Sequence, residues 1–264
     1  MPADKIILSL CAEGTDTVFA LSAGKMLAAC AEQKRPIDPL YALLPKIRED
    51  AEAAELTQYR PDIVLVPQGT ALARVEGLAG VGAEVIAVGG GALSAVYGNI
   101  REIGRAIGRA AEAEKVVTKA EYGFSRLEES LAGVGPVRTA FFGEKEPYGM
   151  AGGMGLVQEL LRRNKLENIY GDADREIVRA DLSTLRLSDV QLILLPDSPQ
   201  EFTDEDAIRL GNYTEHALTV FVPGELFRGG ASVMRLPAFF EALNEKIRRF
   251  SSDNLADRDK PTYF

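Results

Sequence analysis

The chain has 264 residues, 46% of them apolar and 26% charged, enough apolar mass for two lobes that each bury a core and too much for a disordered chain. Its 30 basic residues against 39 acidic ones give a formal charge of -9, which argues against a general nucleic-acid or anionic-membrane binder, because phosphate contacts need clustered Lys and Arg. No apolar run approaches the roughly 18–20 residues a membrane span needs, and Cys11 and Cys30 lie outside any Cys-x-x-Cys pattern and read as buried thiols.

Residues 1–5 lead into the first strand with no charged-then-apolar leader of the secretory kind. The chain is therefore expected in the cytoplasm if Met1 is its native start, and in the periplasm or at the cell surface if a leader was removed. Residues 5–11 (KIILSLC) predict a buried strand, followed by a helix over 15–21 with Gly14 or Thr15 near its cap. Residues 26–30 predict a second strand. After a loop punctuated by Pro36, Pro39 and Pro45, the acidic-alanine run 49–59 predicts a helix that stops at Arg60, since Pro61 disfavours helical geometry in the residue before it. A strand over 63–66, a helix over 71–78 closed by Gly80 and Gly82, and a strand over 84–88 closed by Gly89, Gly90 and Gly91 complete an alternation that implies a parallel sheet.

Over residues 93–131, Val96, Ile100, Ile103, Ile107, Ala110, Ala113, Val117, Ala120, Phe124, Leu127 and Leu131 recur every three or four positions, the spacing of an amphipathic helix. Gly104 and Gly108 weaken its first third. The reading is a packing helix over 93–107, a break near Gly108, and a connector over 111–131 that spans about 30 Å. Beyond it, strands over 137–142, 192–195 and 217–222 alternate with helices over 156–164, 181–188 (capped by Asp181), 203–210 (capped by Thr203) and 234–250. The expected class is α/β, with two Rossmann-like lobes, each built on a parallel sheet, joined by a single long backbone helix. The expected division is an N-terminal lobe over 1–108, the helix over 109–133, a C-terminal lobe over 134–250 and a polar tail over 251–264. A cleft between the lobes is expected to hold a guest molecule.

Chemistry-bearing motifs are thin. No G-x-G-x-x-G fits the glycines at 89–91 or at 149–155, and no phosphate loop or G-x-S-x-G elbow occurs. The single histidine, His216, lies in a polar loop and cannot build a multi-histidine metal site. Acidic pairs such as Asp204 with Asp206 and Asp172 with Asp174 read as helix caps and solvated loops. No catalytic residue, protein metal ligand or cofactor of the protein's own is expected, so the chain reads as a binding protein and not as an enzyme.

Three segments of the first half, SLCAEGTDTVFALSAG at 9–24, RPDIVLVP at 60–67 and IGRAIGRAAEAEKV at 103–116, together with KEPYGMAGGMGLVQELLRRNKLENIY at 145–170 and VFVPGELFRGG at 220–230, resemble the class III substrate-binding proteins of ABC importers. These are the helical-backbone metal receptors, and the likeness is to their cobalamin-binding-like branch. The resemblance implies a metal-chelate ligand carrying cobalt or iron, such as a corrinoid, a haem or a ferric siderophore, and an ABC permease as partner. A monomer without nucleic-acid partners or a membrane span is expected. The chain departs from the family pattern in lacking tryptophan, and in placing Gln68, Gly69 and Thr70 where haem-binding members carry a Tyr or His ligand. The positions of the acidic permease-docking residues fall near Leu72 and Arg228, with Glu76 and Glu225 as neighbours. A cytoplasmic cofactor-binding or sensor relative without a permease is the alternative reading, and a two-lobed α/β transferase the less favoured one.

Ligands of parallel α/β lobes gather at the carboxyl ends of the strands. That rule selects Glu13, Gly14, Glu32, Gln33, Gln68 and Gly89 from the first half. From the second it selects Glu144, Lys145, Tyr148, Asp197, Ser198, Phe227 and Arg228. Tyr148 and Phe227 are expected to pack on a flat macrocycle, with Gln68, Lys145 and Arg228 bonding its amide, carboxylate or propionate edge.

Overall fold

A computed structural model describes residues 5–80, 82–214 and 216–258, so residues 1–4, read as the lead into the first strand, lie outside it. The chain divides into two compact units, one running to Glu121 and including Glu225–Met234, the other formed by Tyr122–Gly224 and the chain from Arg235 onward.

The first unit carries a four-stranded sheet in the order β2-β1-β3-β4, from β1 (Ile7–Ser9), β2 (Leu27–Cys30), β3 (Ile63–Pro67) and β4 (Glu84–Val88). Every pairing is parallel. A parallel strand covered on both faces reads as a continuous apolar run, and Ile63, Val64, Leu65 and Val66 are all fully buried. Alternation then sorts them. Leu8, Leu10, Val64 and Val66 meet Leu56 and Leu78, which come from α2 (Ala53–Leu56) and α3 (Leu72–Ala79). On the other face Gly14, in α1 (Ala12–Ala20), lies so close to Ser9 and Leu65 that an added Cβ would stand 2.8 Å from the Ser9 Oγ.

Two first-half elements differ from the sequence reading, each for a local reason. The first helix begins at Ala12, three residues early, because extended Cys11 supplies the N-cap and Thr15 bonds back to the Cys11 carbonyl from within the helix. The helix expected over 49–59 shrinks to α2 and a 3-10 turn at Thr57–Tyr59. Its start is fixed by a capping box between Glu52 and Glu55, while the Glu49 and Ala51 carbonyls just upstream accept hydrogen bonds from the Arg74 guanidinium.

α4 (Leu93–Ala106) and α5 (Ala110–Ser130) realise the two long helices. Gly108, at φ +71°, makes the break between them in the left-handed region open to glycine. Gly104 serves packing instead, since an added Cβ would stand 2.5 Å from the Cβ of Ala113. The division between units falls within α5. Its apolar stripe, from Ala113 through Val117, Ala120, Phe124 and Leu127, is buried along its length.

The second unit departs from the expected wholly parallel sheet. Its strands are β5 (Val137–Lys145), β6 (Tyr148–Ala151), β7 (Leu166–Asn168), β8 (Ile177–Arg179), β9 (Leu192–Pro196) and β10 (Leu218–Val222), ordered β10-β9-β5-β6-β8 with β7 on the early part of β5. β10, β9, β5 and β7 pair in parallel, whereas β6 runs antiparallel to β5 and β8 antiparallel to β6. The start of the glycine-rich stretch after Pro147, through Ala151, is thus a strand. Gly149 is needed there because a Cβ would meet Ile177 and Glu144 at 2.8 and 2.9 Å. A register shift between Phe142 and Glu144 marks a bulge at Gly143. The core joins Ala140, Phe142, Met150, Ile193 and Leu195 to Leu185 and Leu210, the last two from α7 (Ser183–Leu187) and α8 (Asp204–Gly211). α6 (Gly155–Arg163) and α9 (Leu236–Arg258) complete the unit. α9 runs into the stretch read as a polar tail, and residues 259–264 lie outside the described residues.

Residues 225–234 fall inside the segment 134–250 assigned to the C-terminal lobe, yet they cluster with the first unit. The reason is specific: the Ala231 amide donates to Thr17 Oγ1 at 3.0 Å, and a Cβ on Gly230 would stand 2.5 Å from the Glu13 carbonyl oxygen.

Candidate ligand-binding site

In the first unit the strand ends converge on Glu13, Gly89 and Arg228. Glu13 sits in the first turn of α1. Burial raises the pKa of its carboxyl, against the lowering effects of its own backbone N–H and of the Arg228 charge. Gly89 ends β4 at φ +96°, and a Cβ there would stand 2.9 Å from the Arg228 carbonyl and 3.7 Å from Glu13 Cγ. Only glycine lets the backbone of β4 approach Arg228 this closely. Arg228 is half-exposed, while Gln68 is exposed just past the end of β3, with its backbone N–H bonded to the Val88 carbonyl at 2.8 Å. Arg228, expected in the other lobe, is brought to Glu13 by the return of residues 225–234.

Of the remaining selected residues of this unit, Gly14, Gln33 and Phe227 serve the fold. Gly14 is buried against Ser9 and Leu65. Gln33 donates from Nε2 to Asp16 Oδ1 at 3.1 Å and from its backbone to the Tyr41 hydroxyl at 2.7 Å, and Glu32 is exposed. Asp16, absent from the sequence selection, also accepts the Ile37 N–H and so pins the loop after β2. Phe227 is only 6% exposed, so its ring is packed within the protein and offers little face to a macrocycle. Glu225, weighed as a neighbour of a docking position, is 7% exposed and accepts the Lys34 N–H at 2.7 Å. Its burial leaves it no outward carboxylate.

In the second unit Lys145 and Tyr148 meet on Asp206. Lys145 Nζ lies 2.8 Å from Asp206 Oδ2, and the Tyr148 hydroxyl donates to Oδ1 at 3.1 Å. The Thr203 N–H and hydroxyl add bonds at 2.8 and 2.9 Å. Burial works against ionisation of Asp206, but Lys145, Thr203 and Tyr148 together hold its pKa at about 2. The Tyr148 ring stacks on Phe202 and meets Phe142 edge-on. Both residues therefore tie the β5–β6 hairpin to α8. Asp197 accepts the Gly224 N–H at 3.1 Å, Ser198 is buried, and Glu144 is exposed. The sequence marks Asp206 only as a cap, since its distant partners carry no local signal.

Among the described residues no group of three or more His, Cys, Asp or Glu side chains stands ready to hold a metal ion. Cys11 and Cys30 are buried free thiols, each with its pKa raised chiefly by burial.

The periplasmic binding protein family model matches residues 7–210. The chain belongs to this family. It is a substrate-binding protein of the class III ABC-importer type, as the sequence resemblance implied. No curated protein matches the sequence. Solved structures share the fold at low identity. A periplasmic heme-binding protein from Pseudomonas aeruginosa aligns with a TM-score of 0.77 at 17% identity, over 92% of both chains. The periplasmic vitamin B12-binding protein BtuF of Vibrio cholerae aligns at 0.71 and 13%, over 92% of this chain and 98% of its own. An ABC-type Fe3+-hydroxamate transport system protein from Saccharomonospora viridis aligns at 0.70 and 18%, over 92% of both. Among the described residues no helix is long and apolar enough to cross a membrane.

Proposed function

We propose that the protein binds a metal-chelate small molecule, a corrinoid or a ferric siderophore, without altering it chemically, and passes it to an ABC permease. The observation that carries the reading is the assembly of Glu13, Gly89 and Arg228 at the carboxyl ends of the first unit's strands. There half-exposed Arg228 passes the end of β4 at Gly89, and the next residue, Gly90, packs against the exposed Gln68 side chain. Guanidinium forks suit carboxylate and other anionic edges, and an exposed side-chain amide suits the amide fringe of a corrinoid. Axial ligation by the protein is not part of the reading, since Gln68, Gly69 and Thr70 supply no imidazole or phenolate.

Equilibrium titration with cyanocobalamin and with ferric hydroxamates, followed by absorbance and calorimetry, tests it. Saturable binding of one chelate is expected. Arg228→Ala should weaken that binding about tenfold or more, the loss expected when a charged hydrogen bond is removed. Binding of no chelate, or unchanged affinity in the variant, would overturn the assignment.

A further inference from the structure

Arg228 reaches the strand ends of the first unit on the returning segment 225–234. The two residues after it are glycines in the left-handed region, Gly229 at φ +102° and Gly230 at φ +62°. A glycine pair has more backbone freedom than any other dipeptide, so this turn keeps one shape only if hydrogen bonds close it.

One side chain closes it from within the segment. Ser232, in the 3-10 turn Gly230–Met234, is 2% exposed, and its hydroxyl donates to the Gly229 carbonyl at 2.6 Å, with the Leu226 carbonyl at 3.5 Å as a second neighbour. These two carbonyls bracket Arg228. Upstream, the Arg228 N–H reaches the Glu225 carbonyl only at 3.4 Å, long for an N–H donor, so the Ser232 bond is the tighter constraint. Thr17 acts differently: its bond to the Ala231 N–H comes from α1 and fastens the segment as a whole to the unit.

We infer that Ser232 is the positioning residue of the strand-end site: its hydroxyl locks the turn that carries Arg228 past Gly89, and so fixes where the guanidinium stands relative to Glu13 and to a ligand. The inference rests on the reading of Arg228 as a ligand contact. A small turn of the backbone becomes a large displacement at the end of an arginine side chain, and a binding group moved in this way loses strength with its chemistry unchanged.

The test begins without a ligand. Burial raises the Glu13 carboxyl and the Arg228 charge opposes it, so the Glu13 titration, followed by side-chain carboxyl NMR on the full-length protein, reports where the guanidinium stands. Glu49 and Asp16, the other charges acting on Glu13, are the same in every variant. In Ser232→Ala the Glu13 pKa is expected to rise toward that of Arg228→Gln, which a loss of stability alone would not produce. Ser232→Cys, close in size and a weaker donor, should give a smaller rise and carries the test if the alanine variant does not fold. Affinity for cyanocobalamin or a ferric hydroxamate, whichever the wild type binds, should fall about threefold to tenfold in Ser232→Ala. No further fall is expected when Ser232→Ala is added to Arg228→Ala. An unchanged Glu13 pKa in the folded variant, or losses of affinity that simply add in the double variant, would overturn the inference. A raised Glu13 pKa with binding of neither chelate would overturn the ligand assignment alone.

Discussion

Glu13 shows how one residue bears both the fold and the candidate site. Its carboxyl is enclosed at the start of α1, so its pKa is raised above the ordinary glutamate value of 4.5, burial outweighing the opposing Arg228 charge. A carboxyl raised on folding binds more protons in the native state than in the unfolded one across the window between the two pKa values. Stability therefore falls as pH rises through that window and stays lower at neutral pH. Glu13→Gln should raise the urea midpoint at pH 7, and the gain should vanish below about pH 4, where the wild-type carboxyl is protonated in both states. A variant no more stable than wild type at pH 7 would mean that the attraction to Arg228 outweighs the burial. A stability cost held at this position fits a group kept for binding.

At the scale of elements, the hairpin of β5 and β6 is fastened to α8 by Asp206, and the sign there is opposite. Its carboxylate is held at about 2 against an unfolded value of 3.8, so its contribution is complete above the unfolded value and lost as pH falls through the folded one. The difference corresponds to about 2 kcal/mol. Asp206→Asn should lower stability by roughly that amount at pH 6, with the gap to wild type closing near pH 2; an unchanged gap in acid would remove the ionised latch. This network also shows where sequence reading stops. The Thr203 cap was legible because its partner lies three residues on, but Tyr148 and Asp206 lie 58 positions apart, and Gln33 and Asp16 lie 17 apart. The strand-end rule selects Glu13, Gln68, Gly89 and Arg228 alongside Lys145 and Tyr148, and it has no means of marking the last two as residues whose polar groups are spent on distant parts of the chain. β6 was hidden for a related reason: Gly149 is poor strand material by itself and is required only because Ile177 and Glu144 crowd it.

For the whole molecule, local periodicity was sufficient to read the strand alternation of the first unit, the break near Gly108 and the long helix after it, because the helical pattern and its glycine break are set by near neighbours in sequence. The order in which the chain completes its units was not legible, since residues 225–234 look like any loop after a strand. Their place is fixed by Thr17, whose hydroxyl donates to the Glu13 carbonyl at 2.6 Å and accepts the Ala231 N–H at 3.0 Å. Gly229 adds a close approach to Gly89 and Val96. Gly230, Ala231 and Val233 are all buried. The first unit is thus discontinuous in sequence, and a chain ended at Glu121 would expose the apolar face of α1 and leave Thr17 and the Glu13 surface without their covering segment. Such a fragment should lack cooperative thermal unfolding and show collapsed amide dispersion by NMR. Joining residues 225–234 to it through a flexible linker should restore both. A fragment ending at Glu121 that unfolds cooperatively by itself would show that the returning segment caps a finished unit and is not a part of its core.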